Sequence, residues 1–347
     1  MNLPRNAQIW WPGWRAARRR TRRHRFDPAA PVTLHLMFAD HFEPRWARPS
    51  EATARARVTT WSEAWPRIAS RIRDSRGQPP RWTFFFPEEE YHPALIDPLA
   101  AMTRAGIADV EVHIHHDGEG EADFVGRMDR FTNALARDHG LMHRRDGGLA
   151  FGFIHGNWAL DNARPDGRWC GLNNEITLLR GLGCYADFTL PAAPDPCQTR
   201  LVNAIYWAVD DPSQPRSHDN GRIIERGITP PEGALICVQG PLTLRPHPRW
   251  RIVPTLDVAE LAGYAPPSHR RARVWLDAAP RIGNDIFLKI YTHGAPEKNA
   301  GPLLGGFIEG TIAAVQAECR IRRWDLVFAT AWETYLAIET ARSGTPS

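Results

Sequence analysis

The chain has 347 residues, 43% hydrophobic and 24% charged, the balance of a soluble globular protein with room for one large α/β domain or two ordinary ones. No stretch approaches the ~20 apolar residues a bilayer span needs. The N-terminus has no apolar run followed by a small-residue cleavage site, so a cytoplasmic location is expected. The net charge of +4 is uneven: seven arginines lie between Arg15 and Arg25, and without them the rest stands at about −3.

Residues 1–30 therefore read as a basic, solvated N-terminal arm, and 31–343 as a single domain. The arginines could meet phosphate groups of lipid or nucleic acid. Trp10, Trp11 and Trp14 beside them hint at peripheral contact with a membrane surface, because indole favours the interface. Nothing beyond the arginines suggests nucleic-acid binding, and no phosphate-cradling glycine loop follows a strand. The five cysteines (Cys170, Cys184, Cys197, Cys237, Cys319) are odd in number and never spaced as Cys-x-x-Cys. That argues against a disulfide framework and a thiolate zinc site, and for a reducing compartment.

Short aliphatic or aromatic runs alternate with helical patterns. In chain order, strands are expected at Val32–Phe38, Trp82–Phe86, Val110–His115, Leu149–Ile154, Tyr185–Thr189, Ala234–Val238, Phe287–Tyr291 and Leu326–Thr330. Helices are expected at Glu51–Asp74, Pro93–Ala105, Ala122–His139, Asn173–Leu182, Asp257–Ala262, Gly305–Glu318 and Trp332–Ala341. Gly106 and Gly183 follow helix ends, as a C′ glycine does. Alternation of this kind predicts a distorted (β/α) barrel of seven or eight mostly parallel strands.

Sites in such folds form where strands end, and polar clusters fall there. Asp40, His41 and Glu43 follow the first strand, and Glu88, Glu89 and Glu90 the second. His155, Asn157, Trp158 and Asp161 follow the fourth, and His293 follows Phe287–Tyr291. The most informative stretch is Glu111-Val112-His113-Ile114-His115-His116-Asp117. A period of two puts Glu111, His113 and His115 in a row on one strand face. Two imidazoles at i and i+2 can both reach one metal ion. The alternative is a pair of core histidines hydrogen-bonded to Glu111.

The order of elements resembles that of the polysaccharide deacetylases of the carbohydrate esterase family 4 superfamily, as a divergent bacterial branch. Met37-Phe38-Ala39-Asp40 stands where those enzymes have Thr-Phe-Asp-Asp. Thr83-Phe84-Phe85, Pro93-Ala94-Leu95, Gly106, Glu111–His115, Ile290-Tyr291-Thr292-His293 and Phe328–Glu333 take the places of their later motifs. The resemblance implies a distorted barrel with one divalent ion, of the zinc type, held by Asp40, His113 and His115. It further implies removal of an acetyl group from a sugar or glycan, with His293 protonating the leaving atom. Ala39 replaces the family's general base, and the usual His-x-x-x-His spacing is absent. Glu89, His155 and Glu43 are the candidate bases, and like charges in the acidic triplet should raise at least one pKa. Asn157, Trp158 and Asp161 offer the amide, aromatic face and carboxylate that bind sugars. Two other readings stay open. One is an amidohydrolase- or phosphoesterase-type barrel, with two ions bridged by a carboxylate and completed by Asp40, Glu111, His155 and His293. The other is an inactive glycan-binding or scaffold barrel.

Overall fold

The structure is a computed structural model and describes residues 3–246 and 254–344. The domain expected over 31–343 runs through 247–253, which lie outside the described residues. The chain begins with α1 (Ala7–Arg23), β1 (Thr33–His41), α2 (Glu51–Ala69), β2 (Trp82–Pro87), α3 (Pro93–Arg104), β3 (Ala108–Ile114) and α4 (Glu121–His139). Next come β4 (His143–Arg145), β5 (Gly148–His155), α5 (Glu175–Gly181), β6 (Cys184–Asp187), β7 (Ile205–Ala208), β8 (Arg222–Ile223) and β9 (Leu235–Val238). Then follow β10 (Thr243–Pro246), β11 (Pro254–Asp257), β12 (Glu260–Leu261), α6 (His269–Ala278), β13 (Arg281–Ile282) and β14 (Asp285–Thr292). The chain closes with α7 (Glu297–Pro302), α8 (Ile308–Arg322), β15 (Asp325–Phe328) and α9 (Ala331–Ser343).

Each of the eight expected strands is present within a few residues of its expected ends. They belong to one 13-stranded, mostly parallel sheet, whose path runs β12-β14-β1-β2-β3-β5-β6-β9-β7-β8. Among the described residues no ladder joins β8 back to β12, so the sheet is barrel-like without a closed ring of hydrogen bonds. The helix expected over Asp257–Ala262 is instead the end of β11 and the whole of β12. The Asp257 carboxylate accepts the Ala259 N–H at 3.0 Å, and Ala259 takes a positive φ of 57°, which breaks any helix there. α6 was not legible in the sequence.

Alternation along the strands divides the core. Leu34, Leu36 and Phe38 of β1 and Val110, Val112 and Ile114 of β3 face an outer layer of helices. There α2 buries Val58, Trp61, Trp65 and Ile68, a helical spacing, and packs the Trp61 and Trp65 rings, tilted, against Trp82 at 5.0 and 5.2 Å. Each such buried side chain contributes about 1.5–3 kcal/mol. Met37 and Ala39 of β1, Phe85 of β2 and Ile154 of β5 face inward, together with Tyr335 and Ile338 of α9.

The N-terminal segment keeps most of its arginines exposed but is not a free arm. It forms α1, which buries Trp10 and Ala17 against the body, beside Ala193, Val202 and Leu242. A Cβ at Gly13 would lie 1.9 Å from the Arg200 carbonyl oxygen, so only glycine allows this docking. The Arg20 guanidinium donates to the Asn203 carbonyl at 2.7 Å. Trp11 remains 39% exposed and stacks on Trp14 at 4.9 Å. Among the described residues no helix is long and apolar enough to cross a membrane.

Candidate metal centre

The C-terminal ends of β1, β3 and β14 bring His41, His113, His115 and His293 around Glu43. His41 continues the inward face of Met37 and Ala39, and His113 lies beside Pro87 in the ladder from β2 to β3. The His113 and His115 rings are 4.6 Å apart, and those of His41 and His293 are 4.7 Å apart. Glu43 Oε1 lies 3.3 Å from His113 Nε2 and 3.7 Å from His115 Nε2.

The protons on these rings are constrained. His113 Nδ1 is 2.8 Å from the Ile154 carbonyl, which can only accept, so the proton is on Nδ1. His115 Nδ1 donates to Glu89 Oε1 at 2.5 Å. Both rings therefore turn Nε2 toward the same carboxylate oxygen. Neutral imidazoles in this tautomer would present lone pairs to a carboxylate, and a cation there resolves the arrangement, either a second ring proton hydrogen-bonded to Glu43 or a metal ion. The residues present thus fit a divalent ion held by Glu43, His113 and His115. His41, Glu43 and His293 form a second group whose ligand atoms lie within 4.8 Å of one another, so Glu43 is common to both. His113 and Glu43 are buried while the His115 side chain keeps 33% of its surface, which leaves the centre open on one side.

Proton affinities follow from this packing. Burial favours the neutral Glu43 and Glu89 carboxyls, but the hydrogen bonds and charges of His113 and His115 respectively outweigh it and hold both below the usual carboxylate range. Burial acts to lower His115, yet Glu89, Glu43 and Glu90 raise it. Burial, with the charges of His293, His113, Lys289 and His115, pushes His41 well down. The member of the acidic triplet that rises is Glu90, to about 7, through burial first and then through Glu43 and Glu89; its counterweight is the Arg45 N–H that it accepts at 2.5 Å.

The expected site residues divide. His113, His115, His293 and Glu89 come together here, with Glu89 behind His115 as its hydrogen-bond partner. Asp40 does not join them: it points to the outer face of β1, accepting the Gly294 N–H at 2.6 Å and the Trp82 indole N–H at 3.0 Å. Period-two alternation makes its neighbour His41 the inward residue. Asp40 instead anchors the turn that presents His293, since a Cβ at Gly294 would lie 2.2 Å from Asp40 Oδ2. Glu111 shares the face of His113 but lies deeper, accepting from the Tyr185 hydroxyl and the Gly152 N–H. His155 also faces away from the centre. It pairs with His116 at 2.9 Å and is fully buried, so it cannot serve as the base beside Glu43.

A cavity of about 810 Å³ opens at His293, with Trp158, Tyr291, Tyr264, Glu260 and Arg271 among its walls. The Trp158 and His293 rings are 6.5 Å apart. Asn157, the residue before Trp158, is half-buried with a left-handed φ of 54°. Asp161 is not a wall: it is fully buried, and its carboxylate accepts the Ser217 N–H at 2.6 Å. The sequence alone offers Glu43 as a possible base and His41 as a strand-end polar residue. Their positions, three residues and one residue after Asp40, are the available signal.

Neither the protein-family models nor the curated proteins contain a match to this chain.

Proposed function

We propose that the protein is a metal-dependent hydrolase that removes an acyl group, such as acetyl, from a sugar or glycan. The observation that carries this reading is the convergence of His113 Nε2 and His115 Nε2 on Glu43 Oε1 while both Nδ1 positions are engaged. Glu43, His113 and His115 would hold the ion. When bound, an ion of the zinc type supplies a Lewis acid for the acyl carbonyl and brings the pKa of water towards ~7.

The protein's own groups do the rest. Glu89 fixes the tautomer and direction of His115, and the Ile154 carbonyl does the same for His113. Glu90, raised to about 7 by burial beside Glu43 and Glu89, is the proposed acceptor of a proton from water. His293, at the junction of the centre and the cavity, hands a proton to the leaving nitrogen or oxygen. Trp158, Tyr264 and Glu260 supply the aromatic faces and the carboxylate that suit a sugar.

Elemental analysis of the purified protein and of His113→Ala and His115→Ala tests the reading, together with acetate release from acetylated sugars. Each variant is expected to lose one equivalent of metal and all hydrolysis. Folded variants that keep the full metal content would overturn it. A normal metal content with glycan binding and no acetate release would favour a glycan-binding barrel.

The position of Glu43 in both histidine groups favours a second reading, a two-ion phosphoesterase- or amidohydrolase-type centre with Glu43 as the bridging carboxylate. There His41→Ala removes an ion of its own, while in the one-ion centre it leaves the count unchanged.

A further inference from the structure

We propose that His116, His155, Cys170 and Glu175 form a second, closed metal site of the zinc class, separate from the Glu43 centre, which staples the loop 156–174 to the ends of β3 and β5. Their ligand atoms all lie within 4.8 Å of one another, and all four side chains are buried. His116 Nε2 is 2.9 Å from His155 Nε2 and 3.0 Å from Glu175 Oε1, and His155 Nε2 is 3.4 Å from the same oxygen. Cys170 Sγ is 3.4 Å from Glu175 Oε2. Bonds of 2.0–2.3 Å in a tetrahedron separate zinc ligands by roughly 3.3–3.8 Å. The cluster is at or slightly inside that spacing, so small outward shifts of the side chains admit an ion.

The chemistry of the donors points the same way. His155 Nδ1 is 2.5 Å from the Gly156 carbonyl, which fixes its proton there and turns the Nε2 lone pair into the cluster. The two facing nitrogens share at most one hydrogen bond, and among the described residues His116 Nδ1 has no hydrogen-bond partner, the Glu119 carboxylate lying 3.7 Å away. The Glu175 carboxylate is fully buried, and among the described residues its only ion-pair partners are these two imidazoles. With a divalent ion, two neutral imidazoles, one carboxylate and one thiolate give a site of zero net charge, the least costly form for a dry interior. Binding releases the Cys170 thiol proton to solvent. The resulting thiolate has a waiting donor: the Asn162 N–H points at Cys170 Sγ at 3.3 Å, as the Asp161 N–H does at Glu175 Oε2 at 2.6 Å.

Burial distinguishes this site from the Glu43 centre. Structural zinc sites are closed by four protein ligands, whereas catalytic ones keep a position open. Consecutive residues of one strand end feed both: His115 turns to the open centre and His116 to the closed one. The stapled loop contains little regular structure and holds Asn157, Trp158, Asp161, Asn162 and Trp169 at positive φ. It carries Trp158 into the cavity wall, so an ion here would set the position of the proposed sugar-binding face. The proposal does not depend on the reaction assigned to the Glu43 centre.

Cobalt(II) tests it, because sulfur is a candidate ligand at this site and not at the Glu43 centre. Protein produced in cobalt-supplemented medium is expected to show a thiolate-to-cobalt charge-transfer absorption, in the wild type and equally in His113→Ala. About one equivalent of metal should resist a chelator until the protein is unfolded. Cys170→Ser is expected to lose the absorption and one equivalent of metal. Cobalt-loaded, folded wild type without the absorption would overturn the proposal, as would Cys170→Ser with the absorption and metal content intact. Should Cys170→Ser fail to fold, the wild-type absorption and the chelator-resistant equivalent decide the question alone.

Discussion

Glu89→Gln separates two roles for the carboxylate behind His115. The Glu89 carboxylate receives His115 Nδ1–H at 2.5 Å through Oε1 and the His115 backbone N–H at 3.3 Å through Oε2. A glutamine has one carbonyl oxygen; if that oxygen keeps the ring, its NH₂ faces the backbone N–H. A hydrogen bond to a charged group is worth about 1.5–3 kcal/mol and one between neutral groups about 1. The substitution therefore removes about 1–2 kcal/mol of support for the orientation and basicity of His115. That corresponds to about 5- to 30-fold weaker metal binding at the open centre, in line with the usual cost of disturbing a histidine's outer partner. The assay is a competition titration of Zn²⁺ against a chromophoric chelator, counting the chelator-accessible ion, with His113→Ala as the site-null control. If Glu89 were the general base, metal affinity would stay at the wild-type value while hydrolysis fell by about 10²- to 10⁴-fold. That pattern would refute the positioning role.

Asp40→Asn should leave metal content unchanged, because the Asp40 carboxylate binds Gly294 and Trp82 and not the centre. Burial raises Asp40 from 3.8 to about 7, so between those values the native state holds more protons than the unfolded state and stability falls as pH rises. Asn removes that slope, worth about 1.4 kcal/mol per unit, and urea unfolding at pH 4, 5.5 and 7 reads it; parallel pH profiles for wild type and variant would count against a buried, proton-binding Asp40. A Cβ at Gly156 would lie 2.3 Å from His115 Cδ2, so Gly156→Ala should turn that ring aside at a cost of about 1–3 kcal/mol, seen as loss of the chelator-accessible ion. Trp158→Ala should raise KM for an acylated sugar by about 2- to 10-fold with the metal count intact; an unchanged KM would remove Trp158 from the substrate wall.

Much of the fold was legible because its signals are local. Period-two runs located the eight strands, and helical spacing with a Pro93 start and a Gly106 stop located α3 almost to the residue. The same alternation placed His113 and His115 side by side on the inward face. The helix expected over Asp257–Ala262 failed where a side chain competed with the backbone: Asp257 bonds Ala259, Arg271 and Trp275, and two of those partners come from α6, later in the chain. Six of the seven N-terminal arginines are exposed, but the segment reads as a free arm because composition does not record that Trp10 and Gly13 meet the far segment around Arg200.

By itself the sequence determined what depends on neighbours along the chain: eight of the fifteen strands among the described residues, most helices, the inward row of His113 and His115, and the convergence of polar groups at strand ends. Tertiary structure alone decided which groups meet. It turned Asp40 out to Gly294 and Trp82, brought Glu43 to the histidines in its place, and put Glu89 behind His115. It also divided His115 from His116, joining the latter to His155, Cys170 and Glu175 from segments 39 to 59 residues away. The physical reason is that a strand fixes the face each side chain takes, while a loop leaves the direction of its side chains to packing and hydrogen bonding with distant parts of the chain.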